Sequence, residues 1–412
     1  MLNDLDQNIQ KYAKLIAKSG INVQKNQIIV ITCPISAAPF ARIVMKEVYD
    51  AGAIDVVMIW EDEKSARIRY DNSPLSVFET TPKWYSDRLN SYAKKGAGFI
   101  SILASDPDIF KGIDQKKPAA SQKSSYLACK EFFDSLDKNL NSWNIVGVPS
   151  PEWAKKVFPN LNENDSIDAL WNAIFKAVRI DTPNPILAWE EHKNSFAKKI
   201  ALLNEYQFEK LHYKNSVGTD ITIGLTKNHI WAGGGAELQN GNYYFPNMPT
   251  EEIFCSPNRN IADGTVVSSM PLNHRGSLVD DFSITFKDGR VTDFSAKVGF
   301  DVLKEIIELD EGSHHLGEIA LIPVNSPISQ MGILFYNTLF DENASCHFAL
   351  GKGFPECIEN GFSMTDTEIL EKGVNDSATH VDFMLGTSDM SIIGIKADGT
   401  NIALFENGNW LI

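Results

Sequence analysis

No stretch of this chain approaches the run of about 18 apolar residues that a membrane-spanning helix needs. Its start, Met1-Leu2-Asn3-Asp4-Leu5-Asp6, lacks the basic flank and apolar core of a secretory leader. Cysteine is sparse: Cys33, Cys129, Cys255, Cys346 and Cys357 are scattered, odd in number and form no CxxC pair. Free thiols in a reducing cytoplasm are therefore expected, not a disulfide framework or a zinc knuckle. Positive charge is short as well. With 38 Lys and Arg against 53 Asp and Glu, the net charge is -15, and the basic surface that a nucleic-acid partner requires is missing. There is no H-E-x-x-H helix and no G-x-S-x-G elbow. The first apolar run leads into Pro34-Ile35-Ser36-Ala37 with no glycine-rich phosphate loop, which disfavours a nucleotide-binding enzyme. Histidine is absent from the first 180 residues, so imidazole chemistry belongs to the later part of the chain.

The 412 residues suffice for two domains with full cores. Over the first 150, apolar runs at Gln27–Cys33, Ile54–Trp60, Gly98–Ala104 and Asn144–Val148 alternate with helical spacing such as Phe40, Ile43, Val44 and Val48. That pattern predicts an α/β domain with a mostly parallel sheet, the run at Ile54–Trp60 being a buried strand. Residues 165–215 read as helical, with Asp165-Ser166-Ile167-Asp168 as a cap. Thr182-Pro183-Asn184-Pro185 is the expected hinge, which divides the chain into 1–182 and 183–412. Beyond residue 216 the texture becomes that of an α+β domain with largely antiparallel sheet. Gly218–Leu225 alternates as a half-buried strand, and Lys287-Asp288-Gly289-Arg290 turns a hairpin between Ser283–Phe286 and Val291–Phe294. Val381–Leu385 and Ile392–Ile395 add strands.

Four local patterns carry chemistry. In Thr379-His380-Val381-Asp382, positions i and i+2 of a strand share a face, so an imidazole and a carboxylate project together; a solvent-facing pair on an edge strand would look the same. Asp341-Glu342-Asn343-Ala344-Ser345-Cys346-His347 gathers acids and a histidine beside small residues, and also reads as a helix start capped by Asp341 or Asn343. Glu251-Glu252 opens an apolar strand, where only one of the two acids can face a given pocket. Glu318 lies within the apolar run Leu316–Ile322 and needs a partner: a cation, an arginine or a hydrogen-bond network. Cys346 reads as a buried spectator.

Taken together in order, these segments resemble the thermophilic metalloaminopeptidase family of the aminopeptidase T, aminopeptidase S and PepS type, with a particular likeness to PepS-type enzymes of Gram-positive bacteria. The likeness runs from Lys14-Leu15 through Trp153–Pro159 to Asn407–Trp410. It is densest at Leu211–Tyr213, Asn247–Glu252, Leu316–Glu318, Asn337–Ser345, His347–Gly351 and His380–Met384. The resemblance implies a metal-dependent aminopeptidase, a homodimer that removes N-terminal residues from peptides with a free N-terminus. It implies two divalent ions (Zn, Co or Mn) held by Glu252, Glu318, His347, His380 and Asp382, with Glu342 as a sixth candidate. It chooses Glu252 over Glu251. It also marks a departure: Phe354 stands where the family carries an active-site tyrosine. The alternative expectation is a catalytically weakened or non-catalytic homologue that binds metal or peptide.

Overall fold

The computed structural model describes residues 2–274 and 277–412. The chain forms two compact units. One comprises Met1–His192 with Gly235–Pro249, the other Lys193–Gly234 with Thr250–Ile412.

In the first unit, strands Ile28–Pro34, Asp55–Glu61, Gly98–Leu103 and Trp143–Gly147 pair in parallel, and Asn247–Met248 extends the sheet beside the last of them. Strand order places Ile28–Pro34 inside and Asp55–Glu61 at an edge. The run at Ile54–Trp60 is thus an edge strand and only partly buried: Val56 and Ile59 are buried, while Ile54 and Trp60 are exposed. The helix Ala38–Ala51 ends at Gly52 in the left-handed conformation, where the missing Cβ removes the steric penalty. The first helix of the 165–215 region, Glu163–Ala177, is capped by Asn162, which accepts from the Asp165 amide, and not by Asp165 to Asp168. The end of that region, residues 207–215, is not helical. The helix Pro185–Tyr206 gives way to a strand, Lys210–Lys214, in which Leu211 and Tyr213 point inward. A period of two over so short a run is hard to separate from a helix end by sequence alone.

The second unit stacks two antiparallel sheets. The larger contains Lys210–Lys214, Asp220–Leu225, Pro257–Val267, Ser277–Lys287, Arg290–Val298 and Ser391–Ile395 among its nine strands. The Ser277–Lys287 and Arg290–Val298 hairpin closes through Asp288 and Gly289, both at positive φ, the geometry a two-residue turn between twisted strands requires. The smaller sheet runs in the order His380–Met384, His347–Gly351, Leu316–Leu321, Ile253–Cys255, Ala232–Gly233. Its inner residues, among them Ile319, Phe348, Leu350, Val381 and Phe383, join a core with Tyr213, Ile223, Phe282 and Ile284 of the larger sheet. Tyr213 meets Phe348 edge-on at 4.9 Å between ring centroids. Each such side chain contributes about 1.5–3 kcal/mol by leaving water. The observed architecture is the α/β unit followed by an α+β unit with antiparallel sheet that the sequence predicts. Among the described residues no helix is long and apolar enough to cross a membrane.

Candidate metal centre

The core packing that fixes one face of the smaller sheet also fixes what the other face presents. Register aligns Glu318 with Ala349 and Ala349 with Asp382, while Gly351 pairs with His380 and Ala320 with His347. Because Ile319, Phe348, Leu350, Val381 and Phe383 turn inward, Glu318, His347, His380 and Asp382 turn together to the opposite face. The same alternation selects between the paired acids. Ile253 and Cys255 lie in the core, so Glu252 falls on the side that holds Glu318 and His347.

One irregularity makes this possible. In a regular strand Leu316 and Glu318 would share a face. Here Leu316 pairs with Leu350 and Glu318 with Ala349, so Gly317 is the extra residue of a β-bulge. The bulge lets Leu316 enter the core while Glu318 is aimed at the site. Gly317 also has to be glycine on steric grounds, since a Cβ there would lie 2.3 Å from the carbonyl oxygens of both Gly351 and Lys352.

The polar atoms converge closely. His347 Nε2 lies 3.4 Å from Glu252 Oε2 and 4.0 Å from Glu318 Oε1. His380 Nε2 lies 3.0 Å from Glu318 Oε2 and 3.0 Å from Asp382 Oδ1. Two triads result, Glu252–Glu318–His347 and Glu318–His380–Asp382, each with its potential ligand atoms within 4.8 Å of one another. Glu318 belongs to both. The imidazoles are oriented from behind. His347 Nδ1 meets the Glu342 carbonyl at 2.9 Å, and His380 Nδ1 meets the Lys352 carbonyl at 2.7 Å. A carbonyl only accepts, so each Nδ1 carries a proton and each Nε2 is the nitrogen that faces the carboxylates, where it can give up its own proton to ligate a cation.

Electrostatics show what the cluster lacks. Burial pushes the Glu252 carboxyl up to about 8, and the nearby Glu318 and Asp382 charges push the same way. Burial also holds Glu342 well above the usual carboxylate range, with Glu252, Asp382 and Glu318 adding to it. Burial alone would lower His347 and His380, but the surrounding carboxylates outweigh it and raise both, Asp382 acting most strongly on His380. Asp382 moves the other way: burial would raise it, and the His380 charge and hydrogen bond win. Among the described residues no lysine or arginine pairs with Glu252, Glu318, Glu342 or Asp382. Crowded carboxylates and two imidazole nitrogens, with no lysine or arginine among the described residues to balance them, fit a divalent cation.

The remaining candidates have definite places. The Phe354 ring lies 5.1 Å from the His380 ring and 5.4 Å from Phe254, and its amide donates to Ser256 Oγ at 2.8 Å. Glu342 lies outside both triads yet close enough for its charge to be felt from each. The helix expected at Asp341–His347 is displaced. A short helix covers Thr338–Asp341 and is capped by Asn337, while Asp341 accepts from the amides of Phe335 and Asn337. His347 opens a strand instead. Cys346 is buried on the core side, with its thiol pushed up by burial to about 12, as a spectator would be. Sequence reasoning passed over the role of Gly317, while Ala349 was legible only as one of the small residues beside His347. A glycine inside an apolar strand was the available signal for Gly317.

The whole chain matches proteins of known kind. A family model described as thermophilic metalloprotease (M29) matches residues 5–410. Aminopeptidase AmpS of Bacillus subtilis is 44% identical over 99% of this chain and 100% of its own length. Aminopeptidase PepS of Streptococcus thermophilus is 39% identical over 100% of both chains. The solved structure of wild-type AmpT from Thermus thermophilus superposes with a TM-score of 0.92 at 35% identity, covering 99% of this chain and 100% of that one. The chain therefore belongs to the thermophilic metalloprotease (M29) family, metal-dependent hydrolases of peptide bonds whose relatives named here are aminopeptidases.

Proposed function

We propose that this protein is an aminopeptidase that releases N-terminal residues from peptides at a centre of two divalent cations. The observation that carries the reading is the division of Glu318: one oxygen faces His347, the other His380. Glu252, Glu318 and His347 would hold one ion, and Glu318, His380 and Asp382 the other. Bound there, Zn, Co or Mn would supply Lewis acidity toward the scissile carbonyl and the attacking water. The chain's own groups do the rest. Glu342, buried beside both triads and favouring its protonated form, is suited to pass a proton to the leaving amine. The small Ala349 and Gly351 keep the sheet face open between the ligands. Phe354 gives a ring beside His380 but no hydroxyl to a developing oxyanion.

In this reading the 183–412 half is catalytic, and the protein works as a cytoplasmic homodimer on peptides with a free N-terminus. The dimer rests on the family resemblance. The test is hydrolysis of aminoacyl-arylamides by protein treated with chelator and then reloaded with Zn, Co or Mn. Activity lost to chelator and restored by the ion is expected. Chelator-insensitive cleavage would refute the metal centre, and ion binding without turnover would identify a non-catalytic binding protein. Light scattering tests the dimer.

A further inference from the structure

Each imidazole of the centre is oriented by a backbone carbonyl, and each of those carbonyls lies in a segment fastened by one buried asparagine. On the first side, the Glu342 carbonyl receives His347 Nδ1. The next residue, Asn343, is fully buried. Its Oδ1 accepts from the Glu251 amide at 2.6 Å and its Nδ2 donates to the Leu339 carbonyl at 3.0 Å. Asn343 thereby ties the turn that presents Glu342 to the residue immediately before Glu252. On the second side, the Lys352 carbonyl receives His380 Nδ1. Asn375, also buried, brackets that residue: its Nδ2 donates to the Gly351 carbonyl at 2.6 Å, and its own carbonyl accepts from the Gly353 amide at 2.8 Å. The same Nδ2 reaches the Gly312 carbonyl at 2.7 Å.

The detail at Asn375 shows how it works. Its Oδ1 is buried and has no hydrogen-bond partner among the described residues. Leaving a buried acceptor unsatisfied is unfavourable, so the side chain is held at that position for its two donated bonds. An aspartate could make neither and would set a carboxylate against two carbonyl oxygens.

We propose that Asn343 and Asn375 are positioning residues, one for each half of the centre. Asn343 sets the Glu252–His347 half and Asn375 the half built on His380. The inference rests on the two-cation reading above. Neither side chain is a ligand; each fixes the acceptor that fixes the imidazole, and loss of such outer partners typically weakens metal binding by about 10- to 100-fold. The arrangement also predicts that the halves respond separately, because the two asparagines share no hydrogen-bond partner among the described residues.

The experiment is a calorimetric titration of metal-free wild type, Asn343→Ala and Asn375→Ala with Co²⁺ alone, with the visible absorption of the bound cobalt recorded in parallel. Wild type should show two binding events. Asn343→Ala should weaken by roughly 10- to 100-fold the event that Glu252→Gln abolishes, and Asn375→Ala the event that Asp382→Asn abolishes, each sparing the other. The absorption band of the affected ion should change in shape as well as in midpoint. If an alanine variant does not fold, Asn343→Ser and Asn375→Ser, which leave room for water at the orphaned groups, carry the same expectation. A wild type that binds one ion would overturn the two-cation reading itself. Two ions bound with unchanged affinity and spectra in both folded variants, or both events weakened alike by either variant, would overturn the asparagine assignment alone.

Discussion

Glu318 and His380 stand 3.0 Å apart, Oε2 to Nε2, on neighbouring segments that are not directly paired, with the His347–Gly351 strand between them. They meet across that strand because the residue between Glu318 and Asp382 in register is Ala349. A methyl group leaves room that a larger side chain would take.

Replacing Ala349 by leucine should therefore abolish the centre. The new side chain would rise between Glu318 and Asp382, and overpacking of a closed site costs about 1–3 kcal/mol. The expected outcome is a folded protein of reduced Tm with no high-affinity Co²⁺ binding. Metal titration and a thermal melt check it together; wild-type affinity would refute it.

Gly317→Ala tests the bulge. Its Cβ would press on the Gly351 and Lys352 carbonyl oxygens, and the second of these orients His380. Relief requires the backbone to move, at a cost on the order of 1–3 kcal/mol. Binding at the His380–Asp382 half should weaken more than at the Glu252–His347 half. Equal affinities to wild type at both would show that the close approach is irrelevant to the site.

Metal-free protein should lose stability as pH rises from about 5 to 8. Glu252 binds its proton with a pKa of about 8 in the folded state against an ordinary 4.5, and Asp341, raised mainly by burial, with about 7 against 3.8. Both bind protons more tightly folded than unfolded, so raising pH through this window favours unfolding. The raised His347 and His380 act in the same sense: their contribution is complete below 6.5 and is lost as pH climbs through their folded values. Asp382, lowered, contributes above 3.8 and loses its contribution only in stronger acid. Cations take the place of the protons, so reloaded protein should hold its Tm across the window. Thermal melts of chelated and reloaded samples from pH 5 to 9 measure this, and a metal-free Tm that rises with pH would contradict it.

Phe354→Tyr should raise kcat with little change in KM. The ring already lies beside His380, and an added hydroxyl would be a new donor at the reacting carbonyl. Removing one such donor in other enzymes costs about 100- to 1000-fold, so a gain of up to about 100-fold is the scale to look for. No gain in steady-state rates would mean that another group already fills the role.

Much of this was legible along the chain because strands report their own faces. His380 and Asp382 two apart in a strand, and Glu318 as a lone acid in an apolar run, could be read from period and burial cost alone. The parallel first sheet and the Asp288-Gly289 hairpin were equally plain. What failed did so for local reasons. Ile54–Trp60 is as apolar as an inner strand but lies at an edge, and Lys210–Lys214 is too short to declare its period beside a long helix.

By itself, then, the sequence determined which residues alternate, where strands turn, and which acids would be costly to bury unpaired. Those are properties of neighbours in the chain, set by backbone geometry over a few residues. Family resemblance supplied the membership of Glu252 and His347. Only the tertiary structure decided that Glu318 offers one oxygen to each histidine, that a bulge at Gly317 turns it outward, and that Asn343 and Asn375 stand behind the two halves. Each of these depends on register between strands far apart in sequence, and register is fixed by how the inward faces pack, which no single segment contains.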